Sequence, residues 1–148
     1  MADETGNTVT ITMKRDYEFT IRFDSIPAAA ELLADEPPPL GGAKGPNPSA
    51  LLVAAVANCL AASLAFCLRR SRVEVKGLQA VARARIGRNE AGRLRVAGID
   101  VDVRPELEPG DIDRLDRCKA LFEDFCVVSS AVRNGVPVGV TVSPVVTP

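Results

Sequence analysis

The 148-residue chain contains no histidine. Ser-His-Asp and Cys-His catalysis are therefore excluded, and so is every zinc site with an imidazole ligand. Any activated nucleophile must draw its activation from Arg, Lys, a carboxylate or a helix end. Tryptophan is also missing, and one Tyr and five Phe make up all the aromatics. So few rings leave little for stacking on nucleic-acid bases. No two cysteines stand in a C-x-x-C spacing, which argues against a zinc ribbon or a thioredoxin-type motif. The start, Met1 to Asn7, lacks the apolar stretch of a secretory signal. It is expected to be a flexible N-terminus.

What is present fits one globular domain spanning residues 1–148, at 47% hydrophobic and 25% charged residues. The net charge is only −1 but is unevenly spread. Residues 69–104 carry ten Lys/Arg against four acids, and residues 105–126 carry three against seven. Arg83, Arg85, Arg88, Arg93 and Arg95 could touch a polyanion. With so few aromatics, a solvated sheet face is the simpler reading, and no nucleic-acid partner is expected. Four cysteines remain: Cys59, Cys67, Cys118 and Cys126. Without a secretion signal, they are expected to be reduced thiols of a cytoplasmic protein. No metal is expected at them.

Val9, Ile11 and Met13 alternate with Thr8, Thr10 and Thr12, and Tyr17, Phe19, Ile21 and Phe23 alternate with Glu18, Thr20, Arg22 and Asp24. Period-two alternation predicts a hairpin with one wet face. Residues 25–46 read as a long connection, with three consecutive prolines that forbid helix. Asn47-Pro48 then supplies an N-cap and a first helical residue, and the helix is predicted to run to about Arg70. Its residues 50–68 are almost all apolar, and the length just reaches that of a membrane span. Seven alanines, Asn58 and Ser63 in a hairpin-rich context favour burial in protein over lipid. In so short a chain, full burial needs a second subunit. Residues 73–86 and 93–104 predict a second, bent hairpin, with a phase slip at Gly77 and Gly98. A second helix is predicted from Pro109-Gly110-Asp111 onward, restarting after Phe125 and stopping near Gly135, and residues 136–142 predict a final short strand. The fold class is α+β.

Cys59 lies mid-helix in an apolar run, where a nearby cation would be needed to activate it. Cys126 stands where a helix segment restarts, and a helix N-terminus favours thiolate. Cys67 and Cys118 each lie eight residues from one of these, too far to bond it within one helix, and are read as core filler.

Gly45-Pro46-Asn47-Pro48, the apolar helix with Asn58-Cys59, Phe125-Cys126-Val127-Val128-Ser129 and Asn134-Gly135-Val136-Pro137-Val138 occur here in that order. Together they resemble the OsmC/Ohr family of osmotically induced and organic-hydroperoxide-resistance proteins, from about residue 8 to residue 142. The resemblance implies antiparallel sheets around two central helices in an intertwined homodimer. It implies a thiol-dependent peroxidase with Cys59 as the peroxidatic thiol and Cys126 as the thiol that resolves it. The substrate would be an organic hydroperoxide and the reductant a dithiol, with no bound cofactor and no membrane partner. Active members usually carry Glu where this chain has Ser49, and that Glu orients an arginine that stabilises the thiolate. Arg22 is the arginine assigned that role here, with Arg15 as the other candidate, and Glu36 or Asp35 could stand in for the carboxylate. Many members have Pro where Val127 stands. The sequence is thus similar to a divergent branch. The alternative is a catalytically silent dimer that binds an apolar small molecule.

Overall fold

A computed structural model of the chain describes residues 6–148. For residues 1–5, the expectation of a flexible start lies outside the described residues. The elements run in the order β1 (Val9–Arg15), β2 (Glu18–Phe23), β3 (Leu32–Ala34), α1 (Pro48–Arg70), β4 (Gly77–Arg88), β5 (Leu94–Glu106), α2 (Ile112–Leu121) and α3 (Val127–Asn134). Strands β1, β2 and β3 form one antiparallel sheet, and β4 pairs with β5 in another. The architecture is α+β, as the alternation and helix signals predict. Contacts divide the chain into two units. The first runs up to Ala54 and includes Ala82–Val101; the second comprises Ala55–Val81 and the residues from Asp102 onward.

In the first unit, the β1–β2 register sets Val9 opposite Phe23, Ile11 opposite Ile21 and Met13 opposite Phe19, so the apolar residues share a face. The register shifts between Met13 and Arg15. The connection predicted over 25–46 holds an additional strand, β3, with Ile21 opposite Leu32 and Phe19 opposite Ala34. Three residues are too few for an alternation signal, so only pairing with β2 reveals it. Asp35, buried just after β3, accepts the backbone N–H groups of Glu36, Gly42 and Lys44 at 2.8, 3.0 and 3.1 Å. The proline loop is thus folded around one carboxylate. Lys44 also reaches Glu18 at 2.5 Å, and Arg15 holds the other Glu18 oxygen at 3.2 Å.

Helix α1 begins as predicted, with Asn47 Oδ1 accepting the Ala50 N–H at 2.9 Å. It buries Val56, Leu60, Ser63, Leu64 and Leu68, a stripe at helical spacing. Leu64 and Leu68 form the centre of the second unit with Val73 and Cys118, and Leu78, Val103, Leu107, Leu115 and Phe122 pack around them. By length and composition α1 could cross a membrane, and 22% of its apolar window is buried within this chain. The arginines of the β4–β5 hairpin are largely engaged locally, Arg85 with Asp100 at 2.8 Å and Arg104 with Asp102 at 2.6 Å.

After β5, a 3₁₀ turn at Pro109–Asp111 leads into α2. A second 3₁₀ turn, Phe122–Phe125, separates α2 from α3, so the helix does restart after Phe125. Gly135 closes α3 at φ 71°, a conformation that favours glycine. The strand predicted over 136–142 is not formed. Val136, Val138, Val140 and Val142 alternate as a strand should but are all exposed. Alternation alone does not make a strand; a hydrogen-bonding neighbour is required.

Candidate active site

The second unit brings together Cys59 and Cys126, which are far apart in sequence. Both are free thiols; Cys59 is half-buried and Cys126 is fully buried. Cys59 is carried by the middle of α1, on the flank of the buried stripe. Ser63, one helical turn further on, shares its face and is buried. Cys126 is the N-cap residue of α3, with extended backbone at φ −83° and ψ 100°, and its carbonyl accepts the Ser130 N–H at 3.1 Å. Its sulfur therefore lies at the helix end where unpaired N–H groups and the positive pole of the dipole favour negative charge.

Burial alone would push the Cys126 thiol up. The neighbouring Cys59 side chain, the Ser129 hydroxyl and backbone N–H, and the Ser63 side chain favour the thiolate and outweigh it, and the thiol sits below its ordinary value. The Cys126 side chain forms no capping hydrogen bond to α3. Ser129 Oγ is buried without an ordinary hydrogen-bond partner among the described residues. A buried hydroxyl in that state is a donor in waiting, because a thiolate at Cys126 would give it an acceptor. The groups that favour the thiolate are thus uncharged.

Neither serine stands in a motif that marks it as a site residue in the sequence. Ser63 follows Cys59 by four positions and Ser129 follows Cys126 by three, the spacings that place side chains on one helix face and at the third helical residue. That spacing was the available signal.

Arg22 lies in the first unit, on β2, exposed and bound to Asp24 at 2.6 Å. That hydrogen bond, with the Asp24 charge, pushes the guanidinium pKa further up. Asp24 also accepts the Thr10 hydroxyl at 2.5 Å. Asp35, weighed as a stand-in carboxylate, has both oxygens occupied by loop N–H groups.

Cys67 and Cys118 are not merely core filler. They are joined by a disulfide with a Cα–Cα distance of 5.8 Å, linking α1 to α2. Eight residues is too far for bonding within a helix but says nothing about bonding between helices. The signal available was the matched C-x7-C spacing on the two segments. No His/Cys/Asp/Glu cluster suited to a metal occurs among the described residues.

The family model for OsmC-like protein matches residues 41–141. No curated protein matches the chain. Among solved structures, an OsmC-like protein of unknown function from Vibrio cholerae superposes with a TM-score of 0.71 at 18% identity, covering 86% of this chain and 93% of that one. An organic hydroperoxide resistance protein from Elizabethkingia anophelis gives 0.63 at 20% identity, covering 91% and 93%. The organic hydroperoxide resistance protein OhrB of Bacillus subtilis gives 0.60 at 20% identity, covering 88% and 92%. At these identities the structures establish a shared fold.

Proposed function

The chain belongs to the OsmC-like protein family, and from that premise we propose that it is a thiol-dependent peroxidase that reduces organic hydroperoxides. What supports this reading is the pair of free thiols, Cys59 and Cys126, both in the second unit, with Cys59 among the neighbours that favour the Cys126 thiolate.

Access and acidity divide the roles. Cys59 is the less buried sulfur and meets the peroxide. Its thiolate attacks the outer oxygen of R–O–O–H, the O–O bond breaks, and the alkoxide leaves and takes a proton to become R–OH. Cys59 is left as sulfenic acid. Cys126, whose thiolate is favoured by its surroundings, attacks that sulfur and expels hydroxide, which leaves as water. The product is a Cys59–Cys126 disulfide. A dithiol reductant then restores both thiols by exchange. A thiolate at Cys126 is what the second step needs, and Ser129 is placed to support it.

Arg22 is proposed as the residue that favours the Cys59 thiolate. Its ion pair with Asp24 must open for it to act. The working form is proposed to be a homodimer, because much of α1 and the valines after Gly135 remain uncovered within one chain; the cytoplasm is its proposed location.

The test is consumption of an organic hydroperoxide in the presence of a dithiol. Turnover should be catalytic in wild type and lost in Cys59→Ser. Turnover that survives Cys59→Ser would assign the chemistry elsewhere.

A second reading has its own observation. The first unit holds an apolar cleft of about 370 Å³ lined by Ile11, Tyr17, Phe19, Ile21, Pro48 and Leu51, among others. Such a cleft suits an apolar small molecule, and a silent binder would show slow, pH-insensitive alkylation of Cys59.

A further inference from the structure

The two cysteine pairs form a ladder between the same two segments. Cys59 and Cys67 lie on α1, eight residues apart; Cys118 and Cys126 lie on the α2–α3 segment, also eight residues apart. Cys67 is bonded to Cys118 with a Cα–Cα distance of 5.8 Å, and Cys59 and Cys126 lie in the same unit as that bridge. The order is antiparallel: moving back along α1 by eight residues corresponds to moving forward by eight along the other segment. Ser63 lies midway on α1 and is itself buried.

We infer that the Cys67–Cys118 disulfide is a positioning clamp that holds Cys126 opposite Cys59, and that neither Cys67 nor Cys118 touches the peroxide. The inference rests on the peroxidase reading only for its consequence in turnover; the clamp itself concerns geometry.

The segment that delivers Cys126 has few other anchors. Helix α2 buries only Cys118, the 3₁₀ turn after it buries nothing, and α3 buries only Ser129. Leu115 and Phe122 pack partly against the Leu64–Leu68 core. The covalent bond is therefore the firmest tie between α1 and the helix that leads to Cys126.

Its effect has a size. Without the clamp, a Cys59–Cys126 bond closes a chain loop of 67 residues; with it, the shortest path is eight residues on each side of the bridge. For a loosely held segment, closure entropy scaling with loop length makes the effective concentration of one thiol at the other about eight-fold higher with the clamp closed. Closing the clamp oxidises two thiols. Two protons and two electrons pass to a low-molecular-weight disulfide, which leaves as two thiols.

The experiment uses full-length wild type, Cys67→Ala/Cys118→Ala, and Cys67→Val/Cys118→Ala, which refills the space without a bond. Each is equilibrated in glutathione redox buffers, trapped by alkylation and mapped by peptide mass, with circular dichroism to confirm folding. The Cys59–Cys126 effective concentration should fall about eight-fold in both variants. In unreduced wild type, Cys67 and Cys118 should resist alkylation. Equal effective concentrations in a folded variant and wild type would overturn the clamp, as would alkylation of both Cys67 and Cys118 in unreduced wild type. The two readings fail separately. If glutathione closes the Cys59–Cys126 bond with the stated difference but a hydroperoxide does not, the peroxidase reading fails and the clamp stands. After a hydroperoxide pulse, dimedone trapping should show Cys59 sulfenic acid forming at the wild-type rate in the variants and persisting longer.

Discussion

Burial pushes the Cys126 thiol up, and the Cys59 side chain, sixty-seven positions earlier, is the largest of the hydrogen-bonding influences that bring it below the ordinary thiol value. Peroxide chemistry needs a thiolate in each half of the cycle, first as nucleophile and then as resolver. The surroundings of Cys126 favour the charge that the second half needs.

Ser129→Ala tests the thiolate support at Cys126. Among the described residues the hydroxyl has no ordinary hydrogen-bond partner, so stability should change little. Loss of a hydrogen bond to a charged acceptor should slow disulfide closure about tenfold at neutral pH. The sign follows from the direction of the shift. Cys126 is held low, so removing a donor raises its pKa, and the rate-against-pH curve should move to higher pH. Stopped-flow measurement across pH 6 to 9 checks this; an unmoved curve would remove Ser129 from the site.

Arg22→Ala tests the proposed activator. If Arg22 stabilises the Cys59 thiolate, the rate of sulfenic acid formation should fall at least about tenfold, in keeping with loss of a charge-assisted contact. Asp24→Asn, which frees the guanidinium, should raise that rate. Rates indifferent to both substitutions would leave Arg22 as a surface ion pair, the usual lot of an exposed one.

Asp35→Asn tests the loop. Backbone hydrogen bonding from Lys44 is the largest influence on Asp35; burial opposes it, the Gly42 and Glu36 N–H groups and the Lys44 charge add to it, and the carboxyl sits below its ordinary value. A depressed folded pKa contributes stability that is fully present above the unfolded value and is lost as pH falls through the folded one. The variant should therefore melt below wild type at pH 7, and the gap should close as pH drops below about 4. A gap that stays constant down to pH 2 would contradict this.

The uncovered surface of α1 leads to a prediction of assembly. Light scattering should give twice the chain mass of 15.7 kDa at micromolar concentration. A stable monomer would leave the apolar helix without a covering surface and would contradict the dimer.

The elements were legible where a local rule acts. Alternation fixed the β1–β2 hairpin, Asn47-Pro48 fixed the start of α1, and Gly135 fixed the end of α3. What escaped depends on a partner. Strand β3 exists because β2 offers it hydrogen bonds. The valines after Gly135 form no strand because nothing among the described residues pairs with them. The site divides in the same way. Cys59 and Cys126 stood out through the motifs around them. Ser63 and Ser129 gain meaning only once the two segments face each other. The Cys67–Cys118 bond is not legible in the eight-residue spacings, which bear on bonding within a helix and not between α1 and α2.

The most direct measurement is peptide mapping after one equivalent of an organic hydroperoxide is added to the reduced protein. The fragments carrying Cys59 and Cys126 should be recovered joined by a disulfide in wild type, and unjoined in Cys59→Ser. Recovery of those fragments unjoined from wild type that has consumed its peroxide would show that the two sulfurs do not act as a pair.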